Sequence, residues 1–371
     1  MQRIKRFCLN LPVEISKFNK MKKILLLLFS VLFVISNNTY AENNKEEFNA
    51  GDVIMEHLGD AHSWHILTWN KTDVAIPLPV ILINDGKISC FMSSKFEHGH
   101  KAYKGFKIGS EADGKDLGGK ILCVDANGKY TGKQPLDISI TKNVFGIFII
   151  AAIICIFVLN AAKKSKQREG KEPKGVQTLT ESLVEFITDD IAIPSIGKDA
   201  YMKYINFLLS VFTFIFLSNL MGLVPFFPGG ANITGNIAVT LTLALFTFVI
   251  TQFSTTKHFW KDTINPNVPA WLKLPIPIMP ALEFLEIFTK PFSLTVRLFA
   301  NITAGHVIML SLVCIIFIFG QQSIALGYGV SIISLIFSAF MFLIEILVAF
   351  IQAYVFTLLS AIYFGMARSK E

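Results

Sequence analysis

The chain has 371 residues, 52% of them hydrophobic, and a mean hydropathy of +0.53. That is too apolar for an ordinary soluble domain and leaves room for several membrane spans. The net charge of +7 is concentrated at one end. Residues 1–41 hold seven Lys/Arg against one acid, and the rest hold 27 against 26, so the basic balance belongs to a leader and gives no argument for a nucleic-acid partner.

The leader has its own pattern. Met21–Ala41 begins with two lysines, continues as an apolar core from Ile24 to Ile35, and ends in Thr39-Tyr40-Ala41, a small-x-small cleavage signature. This is a secretory signal peptide, and its core is too short to span. Such peptides begin at the initiating Met, which makes Met21 a candidate start and leaves translation of residues 1–20 open. The mature N-terminus is then Glu42, outside the cytoplasm.

Residues 42–142 read as a small exported β-rich or mixed domain. Short apolar runs, "DVAIPLPVILIND", "GKISCFMSS" and "GKILCVDANGKY", are broken by Asp-Gly, Gly-Gly and Asn-Gly turn signals. His57, His62, His65, His98 and His100 fall here, but their spacings match no metal-ligand pattern, and no metal or cofactor is expected. Cys90 and Cys123 also lie in this part. They are either a disulfide or two free thiols; Cys155 and Cys314 sit in apolar spans, and Cys8 is in the leader.

The first span is Asn143–Ala162. The loop "KKSKQREGKEPKG" after it carries six Lys/Arg and two Glu, which the positive-inside rule places in the cytoplasm. Val176–Ile193 is not a span. Thr178 and Glu181 form a capping-box pattern, Leu179, Leu183, Phe186 and Ile187 share one face, and the acids Glu185, Asp189 and Asp190 keep the segment at the interface. Tyr201–Leu223 and Ile237–Phe253 are the next two spans, joined by the uncharged "FPGGANITGN". A lysine-bearing loop then leads to Ala281–Phe319 and Val330–Met366. Thirty-nine helical residues reach about 58 Å against a hydrocarbon core of about 30 Å. The last pair must therefore lie oblique or be broken, and Pro291 can kink the first of them.

Polar groups inside these last two segments carry the chemistry. Arg297 is an unquenchable cation in an apolar run, and intramembrane charge points to function. The competing reading is an arginine at a helix end, snorkelling to the headgroups. Asn301, four residues on, shares its face. His306, nine on, is half a turn out of phase and about 13 Å along the axis. Glu345 and Gln352 are nearly in phase on the last helix, so an antiparallel pair can bring Glu345 to His306 and Gln352 to Arg297. A His and a tunable Glu can relay a proton. Arg297 cannot release one; it would instead force a passing carboxylate to ionise.

These residues resemble a known family. "KPFSLTVRLFANITAGHVIM", "FLIEILVAFIQAYVFTLLSAIYFGMA" and "SNLMGLVPF" are similar to subunit a of the F-type ATP synthase over roughly residues 140–368. The resemblance implies a bacterial inner-membrane, multi-pass, non-catalytic stator subunit with a periplasmic mature N-terminus and a cytoplasmic C-terminus. It would form two proton half-channels against a c-ring, with peripheral stalk subunit b, other synthase subunits and membrane lipid as partners. It assigns Arg297 to the carboxylate-meeting cation, Asn301 and Gln352 to its polar companions, and His306 and Glu345 to the outer half-channel. Glu283 falls to the cytoplasmic half-channel, and Lys290 to a basic position before Pro291. Some members carry an acid where Gly222 stands, so Asn219 is a candidate for the entrance. The expected architecture is a mainly α membrane protein: a leader (1–41), a small soluble domain (42–142), and a membrane domain (143–371) of five transmembrane segments plus an interfacial amphipathic helix, the last two segments forming a long oblique hairpin. The alternative, an independent secondary ion transporter, commonly shows an inverted repeat, and no repeat between the halves is visible. A haem-binding anchor would need axial histidines within spans, where only His306 stands.

Overall fold

The computed structural model describes residues 49–69, 72–99, 101–109, 117–125, 130–167, 174–224, 229–256, 259–260 and 278–368. The leader with its signal-peptide pattern lies outside the described residues, as do His100, the Asn-Gly turn and most of the lysine-bearing loop before the hairpin.

A short helix, α1 (Ala50–Leu58), is capped by the Asn49 side chain and precedes seven strands among the described residues. These are β1 (Ser63–Trp69), β2 (Thr72–Pro77), β3 (Pro79–Asn84), β4 (Lys87–Met92), β5 (Phe106–Ile108), β6 (Ile121–Cys123) and β7 (Leu136–Asp137). All pairings are antiparallel: β1 with β2, β4-β3-β7 as a three-stranded sheet, and β5 with β6. The run through residues 73–85 is divided at Leu78, between Pro77 and Pro79, because neither proline has an N–H for the ladder. The β3–β4 hairpin turns on Asp85 and Gly86, both at positive φ, the requirement of a type I′ turn. Val80 and Leu82 alternate into a small core with Phe96, Phe106, Ile121 and Cys123.

Both cysteines of this domain stand as free thiols in this structure. Strand alternation is the reason. Phe91 faces the core that holds Cys123, so its neighbour Cys90 points the other way and is exposed.

The membrane helices follow: α2 (Lys142–Gln167), α5 (Ile205–Leu223), α6 (Ile237–Phe253), α7 (Ile278–Gln322) and α8 (Ile324–Arg368), with α3 (Val176–Glu185) and the short α4 (Ile193–Ile196) between α2 and α5. Four of these helices, α2, α5, α7 and α8, are long and apolar enough to cross a membrane; α6 is apolar but 17 residues long. The amphipathic segment departs from expectation in three ways. Its N-cap is Gly175, with no side-chain cap, so the expected capping box does not form. Glu181 instead accepts from Gln177 Nε2 at 2.9 Å. Leu179 is exposed, while Ile187, Ile191 and Ala192 supply the buried face. Residues Phe186–Ala192 widen into a π-helix. Pro194 accounts for it: the ring has no N–H and clashes with the carbonyl four residues back.

α7 and α8 are longer than expected, 45 residues each, or about 67 Å. They form one hairpin whose only non-helical residue is Ser323. Gly327 lets the tip close: a Cβ there would lie 2.9 Å from Gly320 Cα. The Gly327-Tyr328-Gly329 triplet is helical. α7 continues through Pro291, and Thr295 Oγ donates to the Pro291 carbonyl at 2.9 Å. The membrane core lies where Leu208, Val211, Phe212 and Ile215 of α5 meet Ile187 and Ile191, Leu294 and Leu298 of α7, and Ala353, Phe356 and Phe364 of α8. At the far end, Gly365 packs on the α4 backbone; a Cβ there would overlap the Ser195 carbonyl oxygen.

Candidate functional site

Two contacts set the register of the hairpin. Gly305 of α7 is pressed against Glu345 of α8: a Cβ on Gly305 would overlap Glu345 Oε1 and lie 3.2 Å from its Cγ and Cδ. Fifteen residues back along α7, Lys290 Nζ lies 5.6 Å from the centre of the Tyr363 ring. Between these contacts the antiparallel register puts Arg297 opposite the turn from Gln352 to Phe356. Glu345 and His306 therefore share one level, and Arg297 and Gln352 another, as the antiparallel reading expects.

Glu345 is buried. His306, beside Gly305, is half-buried and turns toward α5: a Cβ on Gly222 would lie 3.4 Å from His306 Nε2 and 3.6 Å from the Ala231 carbonyl oxygen. One turn earlier on α5, Asn219 is buried. Its Nδ2 donates to the Ala349 carbonyl at 3.4 Å, and its Oδ1 accepts from Thr234 Oγ at 2.5 Å. Ala349 is one turn beyond Glu345. Glu345, His306, Gly222, Asn219 and Thr234 thus converge from α5, α7, α8 and the loop before α6.

Arg297 and Asn301 lie on the exposed side of α7. Phe292 and Val296 of the same stretch of α7 are exposed as well. Gln352 is buried instead, and no hydrogen bond joins it to Arg297 among the described residues. The two share a level, but their side chains face different ways. Arg297 does lie close enough to Tyr363 for its charge to act on that hydroxyl. Glu283 is half-buried near the start of α7, about 21 Å along the axis from Arg297. Lys290 pairs with Glu286 at 2.9 Å. A cavity of about 30 Å³ beside Lys290 and Pro291, also lined by Thr247, Thr251 and Tyr363, has room for water.

Sequence reasoning missed Thr234, Gly305 and Tyr363. Gly305 carries a signal: glycine within a helix costs about 1 kcal/mol relative to alanine, so it marks a place where something approaches closely. Thr234 carries none, because an uncharged loop ordinarily lies on the surface.

Two family models match the chain. One, described as ATP synthase A chain, covers residues 144–365, and the other, a domain of unknown function, covers residues 53–138. "ATP synthase subunit a 2" of Chlorobaculum tepidum is 47% identical over 243 residues, 63% of this chain and 65% of that protein. "ATP synthase subunit a" of Myxococcus xanthus is 40% identical over 62% of this chain and 74% of its own length. "ATP synthase subunit a" of Chlorobium phaeobacteroides strain BS1 is 36% identical over 341 residues, 90% of this chain and 80% of that protein. That last match is longer than the membrane domain, so the likeness reaches into the strand-rich region. With a model match spanning the membrane helices and relatives of this identity, the chain belongs to the ATP synthase A chain family.

Proposed function

We propose that this chain is the proton-conducting stator subunit of an F-type ATP synthase, held in a bacterial inner membrane with the strand-rich domain outside. It works with the other synthase subunits and makes no covalent bonds itself. Its partners in this reading are a ring of c subunits, peripheral stalk subunit b and membrane lipid.

One observation carries the reading. Arg297 stands on an apolar helix surface with no hydrogen bond or ion pair to another described residue. An intramembrane cation costs at least 2.5–3.5 kcal/mol, roughly, on lenient scales, so the surface calls for an anionic partner from another chain. A ring of carboxylates sliding past α7 supplies one. Each carboxylate meeting Arg297 is held ionised and gives up its proton. His306 and Glu345, on one level beside Asn219, load protons from the outer side, and Glu283 serves release on the other. Asn301 is the polar companion on the Arg297 face, and Gln352 supports that level from within. Lys290, tied to Glu286, braces the helix at Pro291. A charge crossing 100 mV releases about 2.3 kcal/mol, which the ring converts to rotation.

The test is Arg297→Ala in the assembled complex, in inverted membrane vesicles. ATP-driven acidification should disappear. Retained acidification would reject the role.

A further inference from the structure

The loop between α5 and α6 is packed like a core element. Ala231, Ile233 and Thr234 are buried. Ile233 sits on Gly146 of α2, where a Cβ would come within 2.9 Å of its Cδ1 and 3.3 Å of the Ala231 Cβ. The same buried cluster includes Trp64 of β1, whose ring meets Phe145 of α2 edge-on at 5.8 Å. The strand-rich domain is in turn locked to the start of α2. The Lys142 N–H donates to the Ala61 carbonyl at 2.9 Å and the Asn143 N–H donates to Asp60 Oδ1 at 3.1 Å, while within the domain His62, next to Ala61, pairs with Asp137 at 2.8 Å. An uninterrupted chain of packing therefore runs from the exported domain to Thr234.

Thr234 does one thing with that support: its hydroxyl donates to Asn219 Oδ1. A carboxamide has an acceptor end and a donor end. With Oδ1 occupied, Nδ2 is the end turned to the Ala349 carbonyl. A flipped carboxamide would set oxygen against oxygen there.

We propose that Thr234 is a positioning residue for the proton path, orienting Asn219 against the Glu345-bearing helix, and that the exported domain together with α2 seats the loop that holds it. The inference rests on reading Glu345 and His306 as part of that path. It gives the strand-rich domain a mechanical role in conduction.

The experiment uses the whole complex in vesicles. Passive proton uptake is read after removal of the catalytic sector, alongside ATP-driven acidification. Thr234→Val keeps the shape and removes the hydroxyl; it should slow uptake about tenfold, the order expected for one buried hydrogen bond. Thr234→Ser should restore the rate, which a packing role would not predict. Trp64→Ala leaves Thr234 intact and should slow uptake in the same direction, without adding to the loss in the double variant. Wild-type uptake in Thr234→Val overturns the proposal, as does failure of serine to rescue. If Thr234→Val does not assemble, wild-type uptake in Trp64→Ala overturns it. Arg297→Ala in the same vesicles separates the two ideas. Pumping retained there sinks the stator reading itself, whereas pumping lost there with normal uptake in Thr234→Val sinks only this inference.

Discussion

Gly305→Ala adds one methyl where Glu345 of α8 packs directly on α7. The new Cβ would overlap Glu345 Oε1 and stand 3.2 Å from Cγ and Cδ, so the carboxyl group must move by about 1 Å to reach an ordinary contact distance. Overpacking of this kind costs about 1–3 kcal/mol, partly offset by alanine's helix preference of about 1 kcal/mol. Assembly should therefore survive. Conduction should not, because a misplacement of about 1 Å can cost up to a hundredfold in a proximity-dependent step. The assay is ATP-driven acidification of inverted vesicles, normalised to complex content, with a fall of ten- to a hundredfold expected on that basis. Gly329→Ala is the control in the same hairpin: no atom lies within 4 Å of a Cβ there, and activity should be unchanged. Wild-type pumping in Gly305→Ala would refute the claim that the position of Glu345 matters. Equal loss in both variants would refute the contact argument.

Two further outcomes follow from the strand-rich domain. An impermeant maleimide should label Cys90 and spare Cys123, which is buried and whose thiol burial pushes up, with the Asp85 charge adding to the rise; equal labelling, or a disulfide on a non-reducing gel, would contradict this. Asp137 is partly desolvated, which raises its pKa, but hydrogen bonds from His62 and Ser139 outweigh that and hold it below 3.8. Because the folded value is the lower one, the stabilisation is full above the ordinary value of 3.8 and is lost as pH falls through the folded value. Hydrogen exchange at Lys142 and Asn143 should therefore accelerate below about pH 4. Asp137→Asn should remove that pH step and cost about 1–2 kcal/mol at neutral pH; an unchanged step would refute the role of the pair.

Much of the membrane architecture is legible in local chemistry. Runs of apolar residues near bilayer length mark α2, α5 and α6, and the hairpin announces itself by being twice too long. Arg297, Asn301, Glu283, Glu345 and His306 stand out because charge and amide groups are expensive in apolar helices. Their grouping by level follows from helix period and antiparallel direction alone. Boundaries are less legible. The capping-box pattern at Thr178 is real in sequence, yet Gly175 begins the helix, because a cap depends on where the chain enters and not only on which residues stand three apart.

The sequence by itself determined the number and order of the apolar segments, the polar residues placed within them and the strand-rich character of residues 63–137, since each depends on neighbours a few positions away. Only the tertiary structure decided that Gly305 admits Glu345, that Gln352 turns inward while Arg297 faces out, that Cys90 and Cys123 stand on opposite faces, and that a loop of glycines and asparagines becomes a buried wedge under Trp64. Those outcomes are contacts between residues dozens of positions apart, and close approach in space leaves no periodic trace along the chain.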